Sequence, residues 1–282
     1  MVILDLVTCL RGIWYDCVVI FYPENSIYVS PFILKQFQVK IVYVVHLDDF
    51  YWFEWNDSIF LRLKRWNMKF VDHFIVLSAN QLRSFSVRFP GKVTLIPHGV
   101  WCDELPNERA TPSPSIVIVG KNYRDYEFMN AVIARCHDIL PEIVFDLVGV
   151  DGTKLQLESR GSNVRLHGRL SSQSYRALLR NCQCVFLPLT FATANNALLE
   201  GLSLGVPVLC SDVSGVRDYI CDKSYLVHDV EEVVNFVLCR RLMSADEHIA
   251  EASKLLEHCK ANFSWPIIRA RVAAVVKMAC AE

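Results

Sequence analysis

The stretch from Leu187 to Asp212 gathers the residue types best suited to chemistry. It reads as a strand, a polar loop, a helix opening near Asn195, a stop at Gly205 and a further strand. A helix start offers unpaired amide N–H groups and partial positive charge, which suits a phosphate. Asn196 and Glu200 lie four residues apart on one face, and helical side chains lean toward the helix start, so Glu200 reaches a ligand at the mouth. An ionised carboxylate accepts two hydroxyl hydrogen bonds, as from a ribose diol, and repels phosphate. The roles then divide: amides around Asn195, Asn196 and Ala197 for phosphate, Glu200 for sugar hydroxyls. The other reading is that Asn195 only caps the helix and Glu200 complements its dipole. Ala197, Leu198, Leu199, Leu202 and Leu204 make the helix mostly buried, and a buried carboxylate needs partners.

The elements that must position these residues are short apolar runs between helical stretches. They are Cys17 to Phe21, Lys40 to His46, His73 to Ser78, Val93 to Pro97, Ser115 to Gly120, Val144 to Gly149, Asn163 to Gly168, Cys184 to Pro188 and Val206 to Asp212. Most are continuous rather than alternating, as for parallel strands covered on both faces, so the class is α/β. Open α/β sheets bind ligands beyond the carboxyl ends of their strands. In the second half those exits are Gly120 to Arg124, Gly149 to Asp151, Gly168 to Leu170, Thr190 to Asn196 and Asp212 to Gly215. A proline-rich, charged stretch between His98 and Pro114 marks a linker. The expected division is residues 1–100, a linker 101–114, residues 115–262 and a last helix within 263–282.

The 282 residues are 52% hydrophobic and 21% charged with a net charge of −1, which excludes a disordered chain and a general nucleic-acid binder. The 11 cysteines are odd in number and sit in apolar runs, pointing to a reducing, cytoplasmic setting. Cys182 and Cys184 are one residue apart, not a zinc spacing, so no metal is expected. Met1 to Leu10 carries Asp5 and has no basic leader, and no apolar run approaches the ~18 residues that span a bilayer. Membrane contact would be peripheral. A helix is predicted from Asp57 to Phe70, with Ile59, Leu63, Trp66 and Phe70 on one stripe and Arg62, Lys64, Arg65 and Lys69 around it. Either residues 50–70 meet an anionic membrane, at its inner face, or the stripe packs on the sheet beneath a solvated basic face.

Val93 to Gly99, Asn163 to Gly168, Asn195 to Val208 and Phe263 to Trp265 together resemble the retaining nucleotide-sugar glycosyltransferases of family 4, which have the GT-B fold; the likeness runs from about Val39 to the C-terminus. The resemblance implies two Rossmann-like domains, the second holding a UDP-, GDP- or ADP-sugar, and a last helix that returns to the first. It implies that Lys121 and Arg124, after Gly120, hold the donor diphosphate, that backbone around Arg169 and Leu170 lies against the base, that Glu200 binds the ribose and that His46 faces the donor sugar. Two cations would offset charge on the departing nucleotide, so no metal cofactor is required, and no protein nucleophile is assigned. Without the resemblance, Lys121 and Arg124 read as a solvated loop in which Arg124 pairs with Asp125 or Glu127, and His46 as a plain strand end.

Two departures stand out. The family's acidic residue eight positions before Glu200 is Ala192 here, flanked by Phe191 and Thr193, so sugar contacts fall to Thr193 and Asn195. The first 100 residues hold three or four strands at ~30 residues per βα unit, fewer than such a domain usually has. The chain is then a fragment, a reduced form, or one whose first domain is completed by a partner chain, with an exposed edge near Cys17 to Phe21. The expected function is retaining transfer from a nucleoside-diphosphate sugar to a saccharide or lipid-linked acceptor in surface glycan synthesis. The alternative is a nucleotide-holding half that is inactive without a partner; an epimerase is disfavoured by the lack of an acidic pair at the mouth.

Overall fold

Two parallel sheets carry the chain in a computed structural model that describes residues 2–47, 50–54, 58–104, 112–155 and 163–281. The first sheet has the order β1-β2-β3-β4, from β1 (Cys17–Phe21), β2 (Lys40–Val45), β3 (His73–Val76) and β4 (Val93–Leu95). Its register pairs Cys17 with Lys40, Val42 with His73 and Phe74 with Val93. The two central strands are apolar and buried because helices cover both faces. Those helices are α1 (Val2–Gly12), α2 (Pro23–Ser26), α3 (Ser30–Gln36), α4 (Ile59–Asn67) and α5 (Ala79–Arg88). A capping box of Ser78 and Gln81 starts α5, and Gln81 also donates to the carbonyls of Val45 and Leu47, tying down the exit of β2.

The second sheet has the order β10-β9-β8-β5-β6-β7. Its strands are β5 (Ser115–Val119), β6 (Val144–Val148), β7 (Val164–His167), β8 (Cys184–Leu187), β9 (Val208–Ser211) and β10 (Leu226–Val227). The helices among them are α6 (Tyr126–Ile139), α7 (Ser172–Asn181), α8 (Asn196–Ser203), α9 (Ser214–Arg217), α10 (Val230–Arg241) and α11 (Ala245–Phe263), with α12 (Trp265–Ala281) last. From β5 the chain winds to β6 and β7, then crosses to β8 and winds the other way. The winding reverses between β5 and β8, which makes this pair the switch point of the sheet.

The chain divides into two compact units, Met1–His98 with Pro266–Glu282, and Gly99–Trp265. The nine strands expected from the apolar runs are all present; the tenth, β10, is two residues long and gives no run to read. Helix α4 corrects the stripe reading. Its buried residues are Leu61, Lys64 and Asn67, whereas Ile59 and Phe60 are 71% and 64% exposed. The reason is polar: Lys64 donates to the carbonyl of Glu24 and Asn67 to those of Tyr28 and Leu63, so hydrogen bonds dock this face. Asp57, the expected first residue of that helix, lies outside the described residues, as do 105–111 of the linker. No helix among the described residues is long and apolar enough to cross a membrane.

Candidate active site

A cavity of about 960 Å³ opens beyond the carboxyl ends of β5, β6 and β7, lined on one side by Gly120 and Lys121 and on another by Gly149 to Gly152. His167 to Leu170, Ser172, Tyr175 and Glu200 complete it. Gly149 has φ +64° and Gly120 φ +82°, a region where only glycine sits without strain, so the chain can turn sharply away from each strand and leave the mouth open.

Glu200 faces this cavity from the second turn of α8. Its Oε2 accepts a hydrogen bond of 2.7 Å from the Tyr175 hydroxyl, and Oε1 receives none from the described residues. Burial, then the bond to Glu200, raises the pKa of Tyr175, so the phenol stays protonated and remains a donor. The carboxylate is thus oriented by one neutral hydroxyl and holds one oxygen for a ligand. The start of α8 is capped by Asn195, whose side chain accepts from Leu198 N at 3.2 Å. The amides of Asn196 and Ala197 precede the first intrahelical bond, made by Leu199 N to Asn195 O. Asn196 is exposed and Ala197 buried.

The loop before this helix is fixed by close packing. A Cβ on Gly215 would lie 1.8 Å from the Ala192 carbonyl oxygen, so only glycine lets the start of α9 pass beneath residues 192 and 193. Ala192 is 8% exposed and belongs to the core of this unit. Phe191 packs edge-on against Tyr123. Thr190 N donates to Tyr123 O, and Arg124 and Leu189 form an antiparallel bridge, so the loops after β5 and β8 are stitched together.

Lys121 is exposed on the cavity wall. Arg124 is bound to its own loop. Its Nε donates to Val119 O at 3.0 Å, Nη1 to Asn122 O at 2.9 Å and Nη2 again to Val119 O. The guanidinium is folded against its own loop, 3.1 Å from where a Cβ on Gly120 would stand, and burial lowers its pKa from the ordinary arginine value. Among the described residues it pairs with neither Asp125, which caps α6 by accepting from Phe128 N, nor Glu127. Arg169 and Leu170 line the cavity, while Thr193 and Asn195 belong to the loop and cap at the start of α8.

Sequence reasoning missed two members of the wall. His167 Nε2 lies 2.7 Å from Oδ1 of Asp146, a residue of β6 that is 2% exposed. The signal was a lone aspartate inside the apolar run Phe145, Asp146, Leu147, since a buried carboxylate requires a donor. Tyr175 carried no such sign.

His46 follows β2 in the other unit. Its ring stacks on Tyr22 with centroids 3.5 Å apart, and His98 stands edge-on at 5.9 Å. Nδ1 lies 3.0 Å from Val44 O, and a carbonyl only accepts, so Nδ1 carries the proton. Burial first, and the like charge of His98 second, lower its pKa to about 4. At neutral pH the ring is therefore uncharged and Nε2 is an acceptor, suited to a hydroxyl.

A search of curated proteins finds no match. Residues 113–239 match the family model described as "Glycosyl transferases group 1". Among solved structures, a TarM mutant of S. aureus in complex with fondaparinux, alpha-GlcNAc-glycerol and UDP aligns at TM-score 0.70 and 15% identity, over 91% of this chain and 55% of that one. The pneumococcal O-GlcNAc transferase GtfA in complex with UDP and GlcNAc aligns at 0.68 and 16%, over 92% and 56%. HepE of Anabaena in complex with UDP-glucose aligns at 0.71 and 15%, over 98% and 82%. The chain spans a little over half the length of the first two. Two Rossmann-like parallel sheets and these likenesses give the chain an α/β fold of the GT-B type, in which residues 113–239 are the part similar to the glycosyl transferases group 1 model.

Proposed function

We propose that this chain is a glycosyltransferase that moves a sugar, with retention, from a nucleoside-diphosphate sugar to a saccharide or lipid-linked acceptor in surface glycan synthesis. UDP-sugars are the first donors to try, since the similar TarM, GtfA and HepE structures contain UDP or UDP-glucose. One observation carries the reading: Glu200 faces an open cavity beyond the carboxyl ends of parallel strands, held by a neutral tyrosine rather than by an internal cation. A carboxylate with one oxygen kept for a ligand suits a ribose diol, and the amides of Asn196 and Ala197 suit the diphosphate. Lys121 supplies an exposed positive charge at the rim. Arg124, locked beneath Gly120, adds a fixed one to offset the charge of the departing nucleotide. Arg169 and Leu170 lie against the base, and Thr193 and Asn195 stand in for the acid that Ala192 replaces. His46 accepts from a hydroxyl of the donor sugar. No metal cofactor is invoked.

The test is turnover of UDP-sugars with simple saccharide acceptors, the product anomer being read by proton NMR. The expected result is retained configuration and a loss of ~10-fold or more in kcat/KM for Glu200→Ala, the weight of a hydrogen bond to a charged group. Inverted product would contradict retention. Equal turnover in the variant would remove Glu200 from the site.

A second reading has its own observation. In α1, Asp5 points inward and accepts from the amides of Tyr28, Val29 and Ser30, while Ile3, Leu4, Leu6 and Leu10 are exposed. Such an outward apolar face suits a partner chain completing the first unit, with this chain the nucleotide-holding half. Nucleotide binding without turnover by the isolated chain would favour it.

A further inference from the structure

The exit of β2 is held from below by a buried acid. Glu24, in α2, is 2% exposed, and its Oε1 accepts from the amides of both His46 and Leu47 at 2.6 Å each. The acid is held in turn. Lys64 of α4, also buried, donates from Nζ to the Glu24 carbonyl oxygen, and Tyr51 donates from its hydroxyl to the same oxygen at 3.2 Å. Burial raises the pKa of Glu24, and its own backbone amide, those of Leu47 and His46, and Lys64 oppose that rise. A strand end at a sheet mouth can leave two amides to water at no cost. Taking a carboxylate out of water to bind them is expensive, and is repaid only where charge-assisted bonds fix one geometry. The two amides so fixed belong to the residue that presents the imidazole and to its neighbour. Above them the ring is clamped between the Tyr22 face and the Val44 carbonyl.

We propose that Glu24 is a positioning residue for His46: its Oε1 fixes the main chain at the exit of β2 so that the imidazole keeps one orientation and one tautomer against Tyr22. The importance of that orientation rests on His46 facing substrate, but the arrangement itself can be measured without turnover. Among the described residues, the titratable groups about His46 are Tyr22, Glu24 and His98, with Lys64 behind Glu24.

The experiment follows the His46 ring by nitrogen-15 NMR in the full chain, assigned with His46→Gln, in wild type, Glu24→Gln and Glu24→Ala. In wild type the ring titrates near 4 and is the Nδ1-protonated tautomer at pH 7. Glu24→Gln keeps an oxygen for both amides, so its titration stays within ~0.5 pH unit of wild type. Glu24→Ala frees the loop, so the midpoint rises by ~1 to 2.5 units toward the ordinary histidine value and the tautomers mix. The direction discriminates, because removing the Glu24 side chain without loosening the ring leaves the midpoint in place, or lowers it to the extent that the acid is ionised there. An unchanged or lowered midpoint in Glu24→Ala overturns the proposal, as does a rise of equal size in Glu24→Gln. If Glu24→Ala does not fold by circular dichroism, Glu24→Asp serves: one methylene shorter, it withdraws its oxygen from at least one amide and the midpoint again rises, or the proposal fails. UDP affinity measured on the same variants stays at the wild-type value and reports separately on the nucleotide site.

Discussion

Glu200 spends one oxygen on Tyr175 and presents the other, a division that gives two different expectations for the two residues. Glu200→Ala removes a charged acceptor and should weaken UDP binding by ~10- to 100-fold, against ~3- to 10-fold for Tyr175→Phe, where only the orienting hydroxyl is lost. Titration calorimetry at one salt concentration distinguishes them, and an equal loss would mean that Tyr175 meets the ligand itself. Histidine 46 gives a pH signature. Its folded pKa of about 4 lies below the ordinary value, so between the two pH values the unfolded chain binds the extra proton. Stability from keeping this ring neutral is complete above the unfolded pKa and is lost as pH falls toward the folded one. Urea unfolding should show a loss of about 2 kcal/mol between pH 7 and pH 5 that His46→Gln abolishes. Glu200 was legible as a carboxylate in an apolar helix. The folding of Arg124 onto its own carbonyls was not, because it depends on a loop shape that two stitched strand exits impose. His167 and Asp146 were half legible: the odd aspartate shows in the sequence, its donor on the next strand does not.

Elements were easier to read than side chains, because a continuous apolar run bounded by polar turns has few physical outcomes besides a covered parallel strand. The exceptions have local causes. Helix α4 has an apolar stripe that promises burial, yet Lys64 and Asn67 turn inward to bind carbonyls of the Glu24 to Tyr28 segment. A hydrogen-bonded interior face cannot be inferred from hydrophobic spacing. The loop from Thr190 to Ala194 depends on a second element: α9 reaches it only through Gly215. Gly215→Ala should therefore displace that loop and cost about 1 to 3 kcal/mol, the range for forcing a methyl into a packed site. Urea midpoints check this, and a neutral substitution would show that the loop yields freely.

At the scale of the molecule, the two units expose apolar surface unevenly. Ile59 and Phe60 of α4 stand outward near Arg62 and Lys69, an arrangement suited to an anionic lipid surface. In flotation with vesicles containing phosphatidylserine, the chain should rise with the lipid, and Ile59→Ser with Phe60→Ser should leave most of it behind; no difference between them would place lipid contact elsewhere or nowhere. The winding of both sheets and the open mouth of the second were legible as a whole, since the strand exits carry their glycines in sequence. The short first unit was legible only as a count of strands, and what covers its outward faces is not written in apolar spacing. A crystal structure of the chain grown with UDP tests the nucleotide site of the second unit. The ribose hydroxyls should lie within hydrogen-bond distance of Glu200 Oε1, with a phosphate at the amides of Asn196 and Ala197. UDP bound elsewhere, or with its ribose turned away from Glu200, would contradict it.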